Sequence, residues 1–326
     1  MAPLRETLVR AWYCGAWWLL LLRPVEAVFR CAVAVRRGLY RSGLMSTYRA
    51  PVSVVVVGNI TVGGTGKTPV VIALVESLQK QGVRVGVISR GYGALGLVAP
   101  LQVTADSNAA QCGDEPLLIY RRTRCPCWVA PSRAAAAQAL LAVEEVDLLI
   151  SDDGLQHCAL ERDMEIVLLD SERGTGNGFC LPAGPLRESA VRLQTVDYVL
   201  YRNGPDPGHA VQYVSTGLIN LASGQQRPVK PTELVRDVHA VAGLGQPAQF
   251  FASLRSLGFT VAEHRFPDHH NYSASDFVGM QDKPIIMTEK DAVKCRGLVG
   301  DNAWYLTIDA QLPAAVTSAV LALARN

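Results

Sequence analysis

The feature that most constrains this chain is a glycine-rich loop between an apolar run and a helix-forming segment. Residues 52–57 are almost entirely valine, as is typical of a buried parallel strand. Residues 58–69 read Gly-Asn-Ile-Thr-Val-Gly-Gly-Thr-Gly-Lys-Thr-Pro, and residues 70–79 form a predicted helix that closes at Gly82. A strand, a glycine loop and a helix in this order predict a phosphate-binding loop of the Walker A type.

The chemistry of this loop fits a nucleoside triphosphate. Glycines let successive backbone N–H groups face one phosphate, and the helix start adds its partial positive charge. Lys67 is expected to reach the β- and γ-phosphates, and the Thr68 hydroxyl to ligate Mg²⁺. The usual first glycine is replaced by Thr61, and an ordinary glycine-rich turn is the alternative. The predicted nucleotide-binding residues are Thr61, Val62, Gly63, Gly64, Thr65, Gly66, Lys67 and Thr68.

A second apolar run carries a candidate metal site. Residues 83–89 form a strand after the first helix, which gives a βαβ unit, and a further strand at 146–150 runs through Ser151 into Asp152 and Asp153. Carboxylates at the carboxyl end of a parallel strand lie near the phosphate loop. Asp152 and Asp153 are therefore predicted to hold Mg²⁺ or its waters, without a preference for either as the closer ligand.

Charge is distributed unevenly along the chain. Residues 1–50 carry eight Arg and two Glu, a net charge of +6, whereas the remaining 276 residues have a net charge of −4. The apolar run at 12–22 is too short to span a bilayer, and its tryptophans suit the headgroup region. Residues 1–45 are predicted to be an interfacial helical anchor on an anionic membrane leaflet, rather than a nucleic-acid-binding segment. A cleaved signal peptide and a buried core helix are the alternatives.

The alternation of strands and helices predicts the α/β class. We expect a P-loop NTPase-like, mostly parallel sheet domain at 46–208, a hairpin-like linker at 209–232, and a second, smaller α/β domain at 233–326 that closes the cleft. The Gly-Leu-Gly-Gln-Pro-Ala sequence at 243–248 resembles a dinucleotide-binding fingerprint but lacks the third glycine. It is interpreted as a tight strand-to-helix turn.

The eight cysteines are interpreted as reduced thiols of a cytosolic protein, since a chain of this length needs no disulfide framework. A metal site formed by Cys112, Cys125 and Cys127 is the alternative, although the Cys-Pro-Cys spacing is not typical of zinc.

In short motifs that occur in order across residues 51–295, the chain resembles the tetraacyldisaccharide 4′-kinases of lipid A synthesis. This combination is far more specific than a phosphate loop alone. The motifs are the loop at 58–69, Ser-Arg-Gly-Tyr-Gly at 89–93, Gly-Asp-Glu-Pro at 113–116, Ser-Asp-Asp-Gly-Leu-Gln-His at 151–157, Arg-Asp at 162–163, Leu-Pro-Ala-Gly-Pro-Leu-Arg-Glu at 181–188, Asp-His at 268–269 and Thr-Glu-Lys-Asp at 288–291.

The resemblance implies a bacterial phosphotransferase at the cytoplasmic face of the inner membrane. Its implied reaction transfers the γ-phosphate of MgATP to the 4′-hydroxyl of a tetraacylated glucosamine disaccharide 1-phosphate. The implied partners are this lipid-linked disaccharide and the membrane surface, with no nucleic acid and no obligate protein partner. The implied fold has two α/β/α domains joined by a β-hairpin linker.

The resemblance also favours catalytic roles for Lys67, Asp114 and His269. Asp114 is interpreted as the general base for the sugar hydroxyl, paired with His269, because an adjacent imidazole can orient a carboxylate and tune its basicity. A helix N-terminal carboxylate is the alternative for Asp114. The sequence also leaves open an aspartate of the 152–153 pair as the base.

Seven further residues of these motifs and their neighbours are predicted to contact the substrate. Arginine binds phosphate with two parallel hydrogen bonds, and the implied substrate carries a 1-phosphate. Surface ion pairs and loop caps are the alternatives. The seven residues are Arg90, Tyr92, Glu115, Arg133, Gln156, His157 and Arg187.

Two other functional classes remain open on the sequence. One is a membrane-associated P-loop NTPase that works as a switch or assembly factor, and the other is a nucleotide-binding domain that anchors a complex. A switch needs a group that positions water, whereas a kinase needs a base that faces an acceptor site. ATP turnover that depends on a lipid acceptor distinguishes these classes.

Overall fold

A computed structural model describes residues 2–229 and 236–325, with side chains from residue 7 onward. The predicted end of the linker at 230–232 and the first residues of the predicted second unit, 233–235, lie outside the described residues. The helices within the described residues are α1 (Ala2–Cys14), α2 (Arg23–Arg41), α3 (Lys67–Gln79), α4 (Ala109–Cys112), α5 (Asp114–Thr123), α6 (Arg133–Leu141), α7 (Pro247–Ser256), α8 (Glu289–Cys295) and α9 (Ala314–Ala324).

The strands of the described residues belong to one sheet. They are β1 (Ser53–Gly58), β2 (Val85–Ser89), β3 (Leu101–Gln102), β4 (Cys127–Val129), β5 (Leu148–Asp152), β6 (Met164–Asp170), β7 (Tyr198–Arg202), β8 (Ala210–Asn220), β9 (Gln226–Arg227), β10 (Asp237–Ala242), β11 (Thr260–Arg265), β12 (Ile285–Thr288) and β13 (Ala303–Gln311). Their spatial order is β11-β10-β12-β13-β8-β7-β6-β1-β5-β2-β4-β3, and β9 pairs with β8.

The sheet has two parallel portions that meet at an antiparallel pair. Strands β7, β6, β1, β5, β2 and β4 are parallel in the first portion, and β11, β10, β12 and β13 in the second. Strand β8 belongs to both, because Ala210 and Val211 pair in parallel with β7 while Gln212 and the residues after it pair antiparallel with β13. This architecture confirms the predicted fold class.

The predicted linker falls on β8 and β9, which form an antiparallel hairpin at Leu218–Arg227 and Ile219–Gln226. This hairpin lies within the predicted range 209–232. The boundaries drawn at 46, 209 and 233 stay predictions.

The phosphate loop lies at the centre of the first portion. Strand β1 has β5 on one side and β6 on the other, and its valines are buried, as the sequence pattern predicts. Helix α3 buries Val70, Val71, Leu74 and Leu78, which follow the three- and four-residue spacing of one helix face. The loop between β1 and α3 therefore joins two elements that are fixed by the core.

The last helix packs on the first portion, although the prediction placed residues 233–326 in one unit. Val316 and Val320 of α9 are fully buried in the core that contains α3, and the Ser53 hydroxyl donates to the Leu323 carbonyl at 3.1 Å. The helix has an apolar face that must be buried, and α3 and β1 offer the surface that covers it. Chain order did not predict this contact.

The N-terminal segment is helical, as predicted, and is partly docked on the first portion. Trp12 and Leu19 are buried against Val62 of the phosphate loop, and the Trp12 indole donates to the Pro182 carbonyl at 3.0 Å. In contrast, Trp17 is 76% exposed and Leu21 is 71% exposed. The segment therefore has one apolar face against the protein and another that faces outward.

Helix α2 is tied to the same region by charges. Buried Glu26 pairs with Arg23 at 3.2 Å and accepts a hydrogen bond from the Cys180 backbone at 3.1 Å. Arg37 pairs with Glu188 at 3.1 Å. In the part of the chain that the structure describes, none of the helices combines the length and apolar character needed to cross a membrane.

Candidate active site

The phosphate loop has the backbone shape that its glycines predict. Gly63 and Gly66 adopt φ angles of 115° and 87°, and α3 starts directly after Gly66. A Cβ on Gly66 would meet the Tyr213 hydroxyl at 2.8 Å, so both space and φ require glycine. Gly63 and Gly64 are exposed, so this part of the loop lies at the surface.

Thr61, which replaces the usual first glycine of the loop, contacts the segment around Leu186. Thr61 is buried and bridges to Leu186. The Val62 backbone donates to the Pro185 carbonyl at 2.8 Å, and the Arg187 backbone donates to the Ile60 carbonyl at 2.7 Å. Backbone hydrogen bonds with the segment around Leu186 thus hold the start of the phosphate loop in position.

Two contacts that the sequence did not reveal hold the phosphate loop. Buried Asn59 donates from Nδ2 to the Thr65 hydroxyl at 3.3 Å. Tyr213, on β8, donates to the Gly66 carbonyl at 2.8 Å. Asn59 lies within the motif, whereas nothing near Tyr213 in the sequence pointed to the loop.

The turn at 243–248 meets the same loop. Strand β10 ends at Ala242 and α7 begins at Pro247, which confirms the predicted strand-to-helix turn. The Gln246 amide donates to the Gly64 carbonyl at 3.4 Å. A Cβ on Gly245 would lie 3.6 Å from the Gly64 nitrogen and 3.7 Å from Asp268 Oδ2. The turn therefore lies between the phosphate loop and the loop that carries His269.

The predicted aspartate pair lies at the carboxyl end of β5, with Asp152 as its last residue and Asp153 directly after it. Asp152 is 1% exposed, and Asp153 adopts a left-handed backbone with φ of 48°. Asp153 pairs with Lys67 at 3.4 Å and with Arg187 at 3.0 Å. Burial alone would raise the pKa of Asp153, but the charges of Lys67 and Arg187 hold it well below its usual value. Asp153 is therefore ionised and fixed beside the phosphate-loop lysine.

The aspartate pair also contacts Arg133. The Arg133 guanidinium is buried and donates to the Asp152 carbonyl at 2.8 Å and to the Asp153 carbonyl at 3.1 Å. Its Nε and Nη1 find no hydrogen-bond partner among the residues that the structure describes. Burial lowers the pKa of Arg133 to about 10. Burial and the charges of Glu115 and Asp153 raise the pKa of Asp152 to about 7.

The aspartate pair fits a hard divalent cation. In the described part of the chain, neither oxygen of buried Asp152 has a hydrogen-bond partner, and Asp153 Oδ1 has only the ion pair with Lys67 at 3.4 Å. A bound cation would compensate this cost. Among the described residues, no group of three or more His, Cys, Asp or Glu is arranged to hold a metal. Mg²⁺ takes one or two carboxylates together with water and phosphate oxygens. The three buried cysteines of the alternative metal site thus find no support.

The second cluster forms around Asp114, the first residue of α5. Asp114 is 3% exposed, and both of its oxygens lie 3.0 Å from Nδ1 of His269. His269 has a positive φ of 60°, a conformation sparsely populated outside glycine, in the loop after β11. Burial would raise the pKa of Asp114, but His269, Lys290 and Lys294 lower it below its usual value. The predicted Asp114–His269 pair is therefore in contact.

The predicted substrate-contact residues lie in and between the two clusters. Tyr92 is 64% exposed, with its ring 4.7 Å from the His269 ring. Gln156 donates to the Asn59 carbonyl at 3.2 Å and to Glu188 at 2.8 Å. Burial and neighbouring arginines lower the pKa of His157 to about 3, which makes it neutral at physiological pH.

Arg90 and Glu115, two further residues predicted to contact the substrate, differ in their surroundings. Arg90 is exposed. Glu115 follows Asp114 and accepts from Lys290 Nζ at 3.0 Å. Lys290 and Lys294 were not predicted as site residues, although Lys290 lies in the Thr-Glu-Lys-Asp motif at 288–291, which was the signal available for it.

Comparison with known proteins agrees with this site. The family tetraacyldisaccharide-1-P 4′-kinase (LpxK) matches residues 18–325. The tetraacyldisaccharide 4′-kinase of Pseudomonas aeruginosa strain LESB58 is 51% identical over 308 residues, covering 94% of this chain and 93% of that protein. The enzyme of the same name from Azotobacter vinelandii is 50% identical over 310 residues, covering 94% and 93%.

A solved structure agrees as well. The crystal structure described as the "apo" form of LpxK from Aquifex aeolicus in complex with ATP superposes with a TM-score of 0.80 at 27% identity. It covers 94% of this chain and 99% of that one. On the match of family, relatives and fold, this chain belongs to the tetraacyldisaccharide-1-P 4′-kinase family.

Proposed function

We propose that this protein transfers the γ-phosphate of MgATP to the 4′-hydroxyl of a tetraacyl glucosamine disaccharide 1-phosphate in lipid A biosynthesis. The observation that carries the proposal is the juxtaposition of a phosphate loop with the Asp114–His269 pair. Gly245 lies between Gly64 of the loop and Asp268 beside the imidazole. A base next to the phosphate site is what a kinase needs and a nucleotide switch does not.

The nucleotide side would work through charge. The backbone N–H groups of Gly63, Gly64, Thr65 and Gly66 would hold the phosphates of ATP, together with Lys67 and Thr68. Thr61, which is buried, and Val62, whose N–H donates to the Pro185 carbonyl at 2.8 Å, would fix the shape of the loop around the nucleotide. Thr68, Asp152 and Asp153 would hold Mg²⁺, which neutralises phosphate charge when bound. Lys67, already fixed by Asp153 at 3.4 Å, would stabilise the charge that develops on the transferred group.

The acceptor side would work through Asp114. Asp114 accepts the proton of the sugar hydroxyl as that oxygen bonds to the γ-phosphorus and the bond to the leaving ADP breaks. His269 holds the carboxylate through Nδ1 at 3.0 Å. The residues proposed to contact the substrate are Arg90, Tyr92, Glu115, Arg133, Gln156, His157 and Arg187.

A lipid acceptor is supported by a groove beside α2. It has a volume of about 550 Å³, and apolar residues such as Phe29, Val33 and Val191 line it together with several arginines. Arg187 belongs both to this groove and to the aspartate pair, because it contacts Asp153 at 3.0 Å. A lining of apolar side chains and arginines fits an amphiphile with an anionic head.

We further propose that the protein acts at the cytoplasmic face of the bacterial inner membrane. The support is the exposed apolar face that includes Trp17 and Leu21, within residues 1–50, which have a net charge of +6. Sedimentation with vesicles that contain anionic phospholipid tests this. Trp17→Ser with Leu21→Ser should weaken binding, whereas Ser42→Ala, an exposed position after α2, should not. Equal binding by the double variant would refute the anchor.

Transfer of labelled γ-phosphate to candidate lipid disaccharides, with the product phosphate mapped, tests the reaction itself. The expected product carries label at the 4′-oxygen, and ATP turnover rises with the acceptor. Turnover that is independent of any acceptor would instead support the switch NTPase.

A further inference from the structure

A lysine of α8 spans the seam between the two portions of the sheet at the Asp114 cluster. Lys290 Nζ lies 3.0 Å from Glu115 Oε1, 3.3 Å from Asp268 Oδ1 and 3.5 Å from His269 Nε2. Glu115 belongs to α5 of the first portion, and the other two lie in the loop after β11. One ammonium group therefore contacts both sides of the cleft.

Helix α8 is built to keep this lysine in place. Thr288 accepts at its hydroxyl from the Asp291 backbone at 3.1 Å and donates back to the Asp291 carboxylate at 2.6 Å. The same carboxylate, fully buried, accepts from the Gly243 backbone at 2.9 Å. A Cβ on Gly243 would meet Asp291 Oδ1 at 2.8 Å, so this approach requires glycine. The first turn of α8 is thus locked to the end of β10.

The next lysine along the helix makes a different set of contacts. Lys294 Nζ lies 3.6 Å from Asp114 Oδ2 and 3.3 Å from Asp291 Oδ1. The described contacts of Lys294 do not include His269. Both lysines add positive charge beside Asp114, but Lys290 is the one whose ammonium faces Nε2 of the imidazole. The carboxylate of Asp268 also lies near Nε2, but at 3.7 Å it is beyond hydrogen-bond distance.

The hydrogen-bonding capacity of the ammonium group determines whether Nε2 of His269 carries a hydrogen. A lysine has three donors and no acceptor, so the nitrogen that it faces acts as an acceptor and carries no hydrogen. The hydrogen of a neutral imidazole is then on Nδ1, which lies 3.0 Å from both Asp114 oxygens. We propose that Lys290 is a positioning residue that holds His269 in this neutral tautomer, so that Asp114, and not His269, receives the proton of the acceptor hydroxyl.

The surrounding charges support a permanently charged Lys290. Burial would lower the pKa of Lys290, but Glu115, Asp114 and Asp268 raise it well above its usual value. The titratable and charged groups that face the cluster are Asp114 and Glu115 of α5, Asp268 and His269 of the loop after β11, Tyr92 of the loop after β2, Asp291 and Lys294 of α8, and Tyr272, whose ring lies 5.2 Å from Lys294 Nζ.

Removal of the Lys290 charge should change the pKa of Asp114 in a predictable direction. Lys290 is one of the charges that lower the pKa of Asp114, so protonation of Asp114 becomes easier without it and its pKa rises. The acidic limb of the pH–rate profile should move to higher pH by about one unit or more. This inference rests on the proposed function, because the profile is that of phosphate transfer.

The kinetic experiment compares Lys290→Met, Lys290→Arg and the control Lys283→Met, which removes a cation on the same portion but away from the cluster. Lys290→Met should shift the acidic limb of the pH–rate profile to higher pH. It should also lower kcat on the order of tenfold or more, with KM for ATP little changed. Lys290→Arg should restore the position of the limb. A Lys290→Met enzyme whose limb coincides with wild type overturns the proposal, while transfer by wild type keeps the proposed function intact.

A second measurement does not depend on activity. The side-chain ¹⁵N signals of the histidines, with that of His269 assigned by its loss in His269→Gln, report which nitrogen carries hydrogen. The wild-type protein near pH 7.5 should show His269 neutral with hydrogen on Nδ1. A protonated ring, or hydrogen on Nε2, in the wild-type protein overturns the proposal even if every Lys290 variant fails to fold.

Discussion

The phosphate-loop side of the cleft takes its backbone groups and Lys67 from eight consecutive residues, whereas the Asp114 side is assembled from distant segments. Asp114 and His269 are 155 residues apart, and Lys290 and Glu115 are 175 apart. The loop is held by the strand before it and the helix after it. The Asp114 cluster exists because α5, α8 and the loop after β11 meet across the seam of the sheet.

This difference separates the expected effects of substitutions. Changes on the phosphate-loop side should alter binding and charge stabilisation of MgATP. Changes on the Asp114 side should lower kcat while leaving KM for ATP nearly unchanged, because a positioned base acts chiefly in the transition state. Four predictions test this separation, from the largest expected effect to the smallest.

Lys67→Ala should abolish detectable transfer without unfolding the protein. Lys67 pairs with Asp153 at 3.4 Å and would stabilise charge on the transferred phosphate. Initial rates and a melting curve check this, with Lys80→Ala just beyond the end of α3 as the control. Near-normal activity in a folded Lys67→Ala protein would refute the phosphate-loop assignment.

Asp114→Asn and His269→Ala should each lower kcat on the order of 10²–10⁴-fold, as expected for loss of a general base. Since the two side chains are in contact at 3.0 Å, the double variant should be little worse than the poorer single variant. Steady-state kinetics measures this, with the exposed Asp106→Asn as control. Wild-type kcat in Asp114→Asn, together with loss of kcat in Asp153→Asn at intact Mg²⁺ binding, would place the base at the end of β5.

Asp153→Asn should raise the Mg²⁺ concentration for half-maximal rate on the order of tenfold or more, because a carboxylate ligand loses its charge. Titration of the rate with Mg²⁺ measures this. Asp147→Asn is the matched control, since Asp147 precedes the same strand and pairs with exposed Arg84. An unchanged Mg²⁺ dependence of Asp153→Asn would remove that residue from the metal site.

Tyr213→Phe should raise KM for ATP by a factor of about two to ten, which corresponds to the loss of one neutral hydrogen bond to the Gly66 carbonyl. Tyr198→Phe on the neighbouring strand β7 is the control. A selective loss of kcat instead would mean that the β8 strand acts on the acceptor side, and the separation between the two sides would fail.

Local patterns in the sequence predicted the local elements of the site. The valine run before the loop, the glycines at 63 and 66, and the apolar run into Asp152 each appear as predicted, because strand burial, positive φ and strand ends depend on neighbouring residues. The motifs around Asp114 and His269 also predicted their pairing, but through resemblance to a family and not through any periodicity.

The sequence did not predict contacts between distant segments. The residues nearby give no signal for the packing of α9 on α3 or for the Tyr213 contact with Gly66. The motif at 288–291 includes Lys290 but does not reveal its contact with His269. Each depends on which faces of the sheet and helices remain to be covered after the local elements form.

The sequence by itself determined that this chain has a phosphate loop on an α/β sheet, a pair of aspartates at the end of β5, and a basic, apolar N-terminal segment. The tertiary structure alone decided which charged groups surround the Asp114–His269 pair. The physical reason is that glycine conformation and strand burial are set within a few residues, whereas the charge state of a buried carboxylate is set by every charge brought close to it.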